Sequence, residues 1–187
     1  MNPKIILASQ SPRRKQLLEW AEVSFEIVVK ETDESYPDGL ATEAVAVHIA
    51  RNKAIAVQSV VTADSVVLAA DTIVVLNDRI IGKPKSRKEA IAILRDLSGH
   101  KHAVITGVVI RQQQREVAFA DTTDVYFHEL SDEQIEFYVD KYEPYDKAGA
   151  YAIQEWIGVV GIKSVKGDFY NVMGLPVSRV VRELQKF

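Results

Sequence analysis

Two arginines follow a serine cluster in Ser9-Gln10-Ser11-Pro12-Arg13-Arg14, directly after the apolar run Ile5-Ile6-Leu7-Ala8. Ser11 is a good helix N-cap, and Pro12 suits the first helical position, where its missing N–H costs nothing. The pair of cations then sits at the positive end of a helix dipole, where cations are normally avoided. Hydroxyls of Ser9 and Ser11, free first-turn amides and the guanidinium groups of Arg13 and Arg14 together form a donor set suited to an anion such as phosphate. Pairing of the arginines with Glu19 or Glu22 on the protein surface is the plainer alternative.

A second group of residues could act on that anion. Lys53 falls inside the apolar arc of a helical-period segment formed by Val45, Ala46, Ile49, Ala50, Ala54, Ala56, Val57 and Val60, so it must either snorkel out or meet an anion. Asp71 interrupts an otherwise apolar strand pattern, Val66 to Leu76, where an unpaired carboxylate would be costly. It could be satisfied by Lys53 or by backbone amides, or it could serve as a metal ligand or general base. Glu31, Asp33 and Glu34 lie on a loop that could bring a second carboxylate to a hard cation such as Mg²⁺ or Mn²⁺. Lys83, held between Gly82 and Pro84, is a further candidate cation. The four histidines have no metal-ligand spacing, and no Ser-His-Asp or P-loop pattern is present. This inventory points to phosphoanhydride chemistry.

The whole chain bounds these readings. At 187 residues it is long enough for one full core, and a single domain over 1–187 is expected. Hydrophobic residues at 47% and charged residues at 26% describe an ordered globule. A formal charge of -3 argues against nucleic-acid or membrane binding driven by bulk positive charge. The absence of cysteine removes disulfides, thiolate metal sites and thiol catalysis. With no secretory h-region and no apolar run of membrane-spanning length, a cytoplasmic protein is expected.

Strand and helix patterns alternate to position these residues. Strands are predicted at Lys4 to Ala8, Phe25 to Val29 and Ser65 to Leu76, with helices at Ser11 to Ala21, Thr42 to Val61 and Ser86 to Leu97, the last closed by Gly99. His102 to Arg111 and Glu116 to Leu130 are strand-rich and joined by a Gln-rich turn, before a short helix opened by Ser131. This pattern predicts an α/β fold with a mixed sheet. The polar stretch Lys30 to Gly39 and the segment Tyr142 to Tyr145 read as loops bordering a cleft.

Several of these residues fall in motifs that occur in order along nearly the whole chain. They are Ser9 to Arg14, Ala70-Asp71-Thr72, Gly82-Lys83-Pro84, Leu97-Ser98-Gly99 with His102 and Thr106-Gly107, Asp146 to Tyr151, Ile153-Gln154 and Gly174-Leu175-Pro176. In this the sequence resembles the Maf family of nucleotide pyrophosphatases. The resemblance implies a twisted α/β sheet with flanking helices and two lobes around a nucleotide cleft, similar to the inosine triphosphate pyrophosphatases. It also implies metal-dependent hydrolysis of a nucleoside triphosphate to the monophosphate and pyrophosphate, and suggests a homodimer. On this resemblance Asp71 is the catalytic carboxylate and shares the metal with Glu34, Lys53 and Lys83 hold phosphates, and Ser9, Ser11, Arg13 and Arg14 bind the anion. Thr72 and Gln154 would face the base, and Arg13, Thr72 and Gln154 together match the subgroup that cleaves dTTP and UTP. Ala152 and Glu155 stand where the family usually carries glycine. A non-hydrolytic nucleotide-binding regulator of septum formation and a nucleotidyltransferase are the competing readings.

Overall fold

The computed structural model describes residues 4–187, and its described strands form one seven-stranded mixed sheet flanked by helices. The strand order is β2-β1-β3-β5-β6-β7, where β1 is Ile5–Leu7, β2 Glu26–Ile27, β3 Val66–Leu76, β5 Lys101–Gln112, β6 Arg115–Phe127 and β7 Ile162–Lys166; β4, Arg79–Ile81, pairs with β3. The helices are α1 (Pro12–Trp20), α2 (Thr42–Gln58), α3 (Arg87–Leu97), α4 (Asp132–Tyr142), α5 (Trp156–Gly161), α6 (Phe169–Val172) and α7 (Val177–Leu184). The chain divides into two units: one comprises the chain up to Thr72, Thr106–Asp121 and Gly174–Phe187, and the other Ile73–Ile105 and Thr122–Met173.

In the first unit β1 runs parallel to both β2 and β3, with Ile6 opposite Glu26 and Val67. Parallel neighbours need crossovers, and α1 and α2 supply them. The first half of β3 is buried at every position from Val66 to Ala70, which accounts for its unbroken apolar pattern. Ile6, Ala8, Val67, Ala69 and Val109 pack with Ala50, Ala54 and Val57 of α2. Small residues let α2 lie very close: a Cβ at Gly107 of β5 would stand 2.3 Å from the Ala46 carbonyl carbon. That close approach sets the height of α2, and so of Lys53, over the sheet.

In the second unit β3 turns back into β4 through Asn77–Asp78, both with positive φ, placing Leu76 opposite Arg79. Such turns match the twist of a hairpin. The predicted pattern assigned no strand to β4. α3 is capped by Ser86, whose hydroxyl accepts from the Glu89 N–H at 3.2 Å, and α4 by a reciprocal Ser131–Gln134 capping box. The two helices are joined along their exposed edges by Arg87 to Asp140 at 2.6 Å and Arg95 to Asp132 at 2.8 Å. β7 pairs antiparallel with β6, with Val165 opposite Val125. No helix among the described residues is long and apolar enough to cross a membrane.

Candidate active site

Asp71 stands on β3 at the point where the fully buried stretch Val66–Ala70 ends. Lys53, one turn beyond Ile49 and one before Val57 on the buried face of α2, reaches across to it: Lys53 Nζ donates to Asp71 Oδ1 at 2.7 Å. Lys53 therefore does not snorkel. The same ammonium pairs with Glu34 Oε1 at 2.8 Å, so the loop after β2 delivers its carboxylate to the same place. Asp71 and Lys53 are mostly enclosed, with 14% and 18% of their side chains exposed, whereas Glu34 is 54% exposed. The pairing of Asp71 with Lys53 was the plain alternative to a catalytic role, and it is made here. The addition of Glu34 makes it a cation shared by two carboxylates from separate elements.

The serine–arginine turn folds inward. Ser11 caps α1, accepting from the Arg14 N–H at 3.4 Å, with Pro12 at the first helical position, and donates its own N–H to Ser9 Oγ at 3.2 Å. The Arg14 guanidinium is buried and each of its three nitrogens donates to an uncharged acceptor: Nε to the Gly174 carbonyl at 2.8 Å, Nη1 to Ser9 Oγ at 3.1 Å and Nη2 to Thr72 Oγ1 at 2.9 Å. Neither Glu19 nor Glu22 pairs with it; Glu19 instead meets Lys15 at 3.6 Å. Burial lowers the pKa of Arg14, while the carboxylates of Asp71 and Glu34 oppose that shift through space and Arg13 adds to it. Arg14 is thus a buried positive charge whose nearest counter-charges are the two carboxylates of the site. Arg13 is half-buried.

Thr72 is drawn into the same network. Its hydroxyl also lies 2.9 Å from Thr106 Oγ1 on β5. Gly174 has φ of 112°, a conformation L side chains rarely adopt, and this turns its carbonyl onto Arg14. Thr106 and Gly174 were visible in the sequence as motif residues, but nothing in their spacing marked them as partners of Arg14.

Two predicted site residues belong to the second unit. Lys83 is exposed on the loop between β4 and α3, beside the buried Pro84, and the Gly82 carbonyl accepts from the Gly149 N–H at 3.2 Å. Gly149, with φ of 72°, has no room for a side chain, since a Cβ would meet Val74 at 2.9 Å. Gln154 projects from the turn Ala152–Glu155, which is closed by a 3.1 Å bond from the Glu155 N–H to the Ala152 carbonyl. Below it Lys147 is buried, donating to Asp146 Oδ1 at 2.7 Å and lying 3.6 Å from Glu155 Oε1. His102 lies 2.7 Å from the Tyr151 hydroxyl, and both rings pack edge-on with Phe127. Burial pushes the His102 pKa down to about 4 against the attraction of Asp124, and raises that of Tyr151.

Asp71 and Glu34 supply only oxygen donors, within two hydrogen-bond lengths of each other, and no group of three His, Cys, Asp or Glu side chains poised for a metal exists among the described residues. Mg²⁺ is commonly bound by one or two carboxylates together with substrate phosphates rather than by an all-protein cage. The donor set fits that mode.

The sequence pattern of the Maf-like protein family matches residues 4–187. The chain is 49% identical over 185 residues to the dTTP/UTP pyrophosphatase of Parabacteroides distasonis, covering 98% of this chain and 96% of that one. It is 50% identical over 185 residues to the dTTP/UTP pyrophosphatase of Cytophaga hutchinsonii, covering 99% and 84%. Among solved structures, a nucleoside-triphosphatase, or dITP/XTP pyrophosphatase, from Mycobacterium abscessus aligns with a TM-score of 0.40 at 18% identity, over 66% of this chain and 72% of that one.

Proposed function

The chain belongs to the Maf-like protein family, and from that premise and the site just described we propose that it hydrolyses nucleoside triphosphates, dTTP and UTP above others, to the monophosphate and pyrophosphate. The observation that carries this reading is the single ammonium of Lys53 held by Asp71 and Glu34. Two carboxylates kept close on an exchangeable cation are arranged to accept a divalent ion and a water when a polyphosphate arrives to take the lysine.

Asp71 and Glu34 would hold a divalent cation, Mg²⁺ or Mn²⁺, which would supply charge neutralisation at the phosphates and a more nucleophilic water. Asp71 offers a second oxygen, Oδ2, besides the one bonded to Lys53, and through it orients the attacking water and takes its proton. The water oxygen bonds to the α-phosphorus as the bond to the α,β-bridging oxygen breaks, and pyrophosphate leaves as one unit. Lys53 and Lys83 meet charge on the phosphates. The turn of Ser9, Ser11 and Arg13 binds the anion, and Arg14 adds a buried positive charge while holding Ser9 and Thr72 in place. Gln154 reads the base. Uracil and thymine present O4 and N3–H to the two ends of one carboxamide, whereas cytosine inverts both bonds.

The test is incubation of the pure protein with Mg²⁺ or Mn²⁺ and dTTP, UTP, CTP, GTP or 7-methyl-GTP, with products resolved by phosphorus NMR. Monophosphate and pyrophosphate from dTTP and UTP are expected. Orthophosphate and a diphosphate would place the scissile bond elsewhere. Tight binding without turnover would favour a regulator, and turnover only with an added acceptor a transferase.

A further inference from the structure

The Gln154 turn is anchored at both ends by one phenol. Tyr138, on the buried face of α4, is completely enclosed. Its hydroxyl accepts from the Ala152 N–H at 3.1 Å and donates to Glu155 Oε2. A phenol has one proton to give, and it goes to the carboxylate at one end of the turn while the lone pairs serve the amide at the other. Glu155 is held from its far side by Lys147. Its carbonyl accepts from the Gly158 N–H at 2.9 Å, starting α5 directly against the turn, where a Cβ at Gly158 would stand only 1.7 Å from the Ile153 carbonyl oxygen. Ile153 is buried, so Gln154 is left at the corner as the side chain that projects outward.

We propose that Tyr138, with Glu155 as its acceptor, is a positioning residue for base selection: it fixes the orientation of the Ala152–Glu155 turn and thereby aims the Gln154 carboxamide. The proposal rests on the reading of Gln154 as the base-contacting group. It also gives the acidic residue at position 155 a role, because a glycine there has no side chain to receive the Tyr138 proton. Base discrimination by a carboxamide requires its donor and acceptor to be held in one orientation, since a rotated amide would satisfy cytosine equally well. A loosened turn therefore harms selectivity before it harms chemistry.

The experiment compares Tyr138→Phe, Glu155→Ala, Glu155→Gln and Gln154→Ala with the wild type. The readouts are kcat and KM for UTP and CTP, and hydrogen exchange of the Ala152 amide. Tyr138→Phe and Glu155→Ala should lower the UTP-to-CTP ratio of kcat/KM by roughly tenfold, through KM for UTP with kcat retained. Glu155→Gln keeps an acceptor for the phenol and should hold the ratio within about twofold of wild type. In Tyr138→Phe the Ala152 amide should exchange faster by roughly tenfold or more. A folded Tyr138→Phe that keeps the wild-type ratio while Gln154→Ala collapses it overturns the positioning role but leaves the base-reading role standing; unchanged Ala152 exchange does the same. A Gln154→Ala enzyme with the wild-type ratio overturns the base-reading role and the proposal with it. Should Tyr138→Phe fail to fold, equal ratios in Glu155→Ala and Glu155→Gln overturn the proposal, and a loss confined to Glu155→Ala supports it.

Discussion

Lys53→Met removes the ammonium while keeping a long unbranched chain on the buried face of α2. Asp71 then loses a partner at 2.7 Å and Glu34 one at 2.8 Å. Breaking a fully buried pair by deleting one partner costs about 3–5 kcal/mol, because the other charge is left without compensation. Asp71 retains 14% exposure of its side chain, which places its share at about 2–3 kcal/mol, and Glu34, 54% exposed, turns into solvent for about 0–1 kcal/mol. For a chain of this length a loss of about 2–3 kcal/mol lowers Tm by roughly 4–12 °C. Urea denaturation of Lys53→Met, Asp71→Asn and the double variant isolates the pair. The double variant should be less destabilised than the sum of the singles by about 1–3 kcal/mol. At 25 °C, where the variant remains folded, kcat/KM should fall by about 10²–10³-fold, as for loss of one donor to transition-state charge. Additivity within about 0.5 kcal/mol together with wild-type kinetics would refute the reasoning, since the lysine would then be snorkelling in solution.

Asp71→Asn should lose turnover by about three orders of magnitude or more while nucleotide affinity, followed by calorimetry, stays within roughly tenfold. Arg14→Lys should destabilise by about 2–3 kcal/mol in urea titrations, since a single ammonium cannot span Ser9 Oγ, Thr72 Oγ1 and the Gly174 carbonyl as the guanidinium fork does. Gly107→Ala puts a Cβ 2.3 Å from the Ala46 and Val47 backbone, so α2 must move; a loss of about 1–3 kcal/mol or more is expected, with kcat/KM reduced by roughly 10² as Lys53 shifts from Asp71, both checked on one preparation. His102, near 4 when folded against an ordinary 6.5, binds its proton more readily in the unfolded chain, so its contribution is complete above pH 6.5 and is lost as pH falls toward 4, by up to about 3 kcal/mol; this slope should be missing from His102→Leu in urea titrations at several pH values.

What the sequence conveyed about the fold depended on how strongly burial enforced a period. α2 was legible because six apolar residues repeat on one face, and Lys53 stood out for the same reason. Its end was misplaced at Val61: Ser59 closes the helix at Gln58, and the apolar residues beyond it carry the period on into a turn. The strand expected over Phe25 to Val29 reduces to Glu26–Ile27, both exposed at the edge of the sheet, where no buried face holds an alternation. β4 escaped notice because its pairing with β3 comes from the Asn77–Asp78 turn rather than from a pattern of its own. Tyr138 could be assigned to a buried helical face alongside Ile135 and Val139, but the partners of its hydroxyl lie on a turn beyond α4 that no periodicity links to it.

The two arginines show where sequence reasoning about the site reaches its limit. Neighbours on a helix leave it about 100° apart, so Arg13 and Arg14 set out from the same turn in different directions. The dipeptide says that one of them turns inward, but not which. That is decided by groups far away in the chain: the Gly174 carbonyl, turned by a φ of 112°, and the hydroxyl of Thr72, itself 2.9 Å from Thr106. Arg14 meets them all and is buried by doing so, leaving Arg13 as the half-buried member. Burying a guanidinium among uncharged acceptors is costly unless opposite charge lies close, and here that charge is Asp71 and Glu34. The same carboxylates hold Lys53. The serine–arginine turn and the carboxylate pair, which the sequence presents as two separate anomalies, are therefore one electrostatic unit, in which Lys53 and Arg14 offset two carboxylates before any ligand arrives.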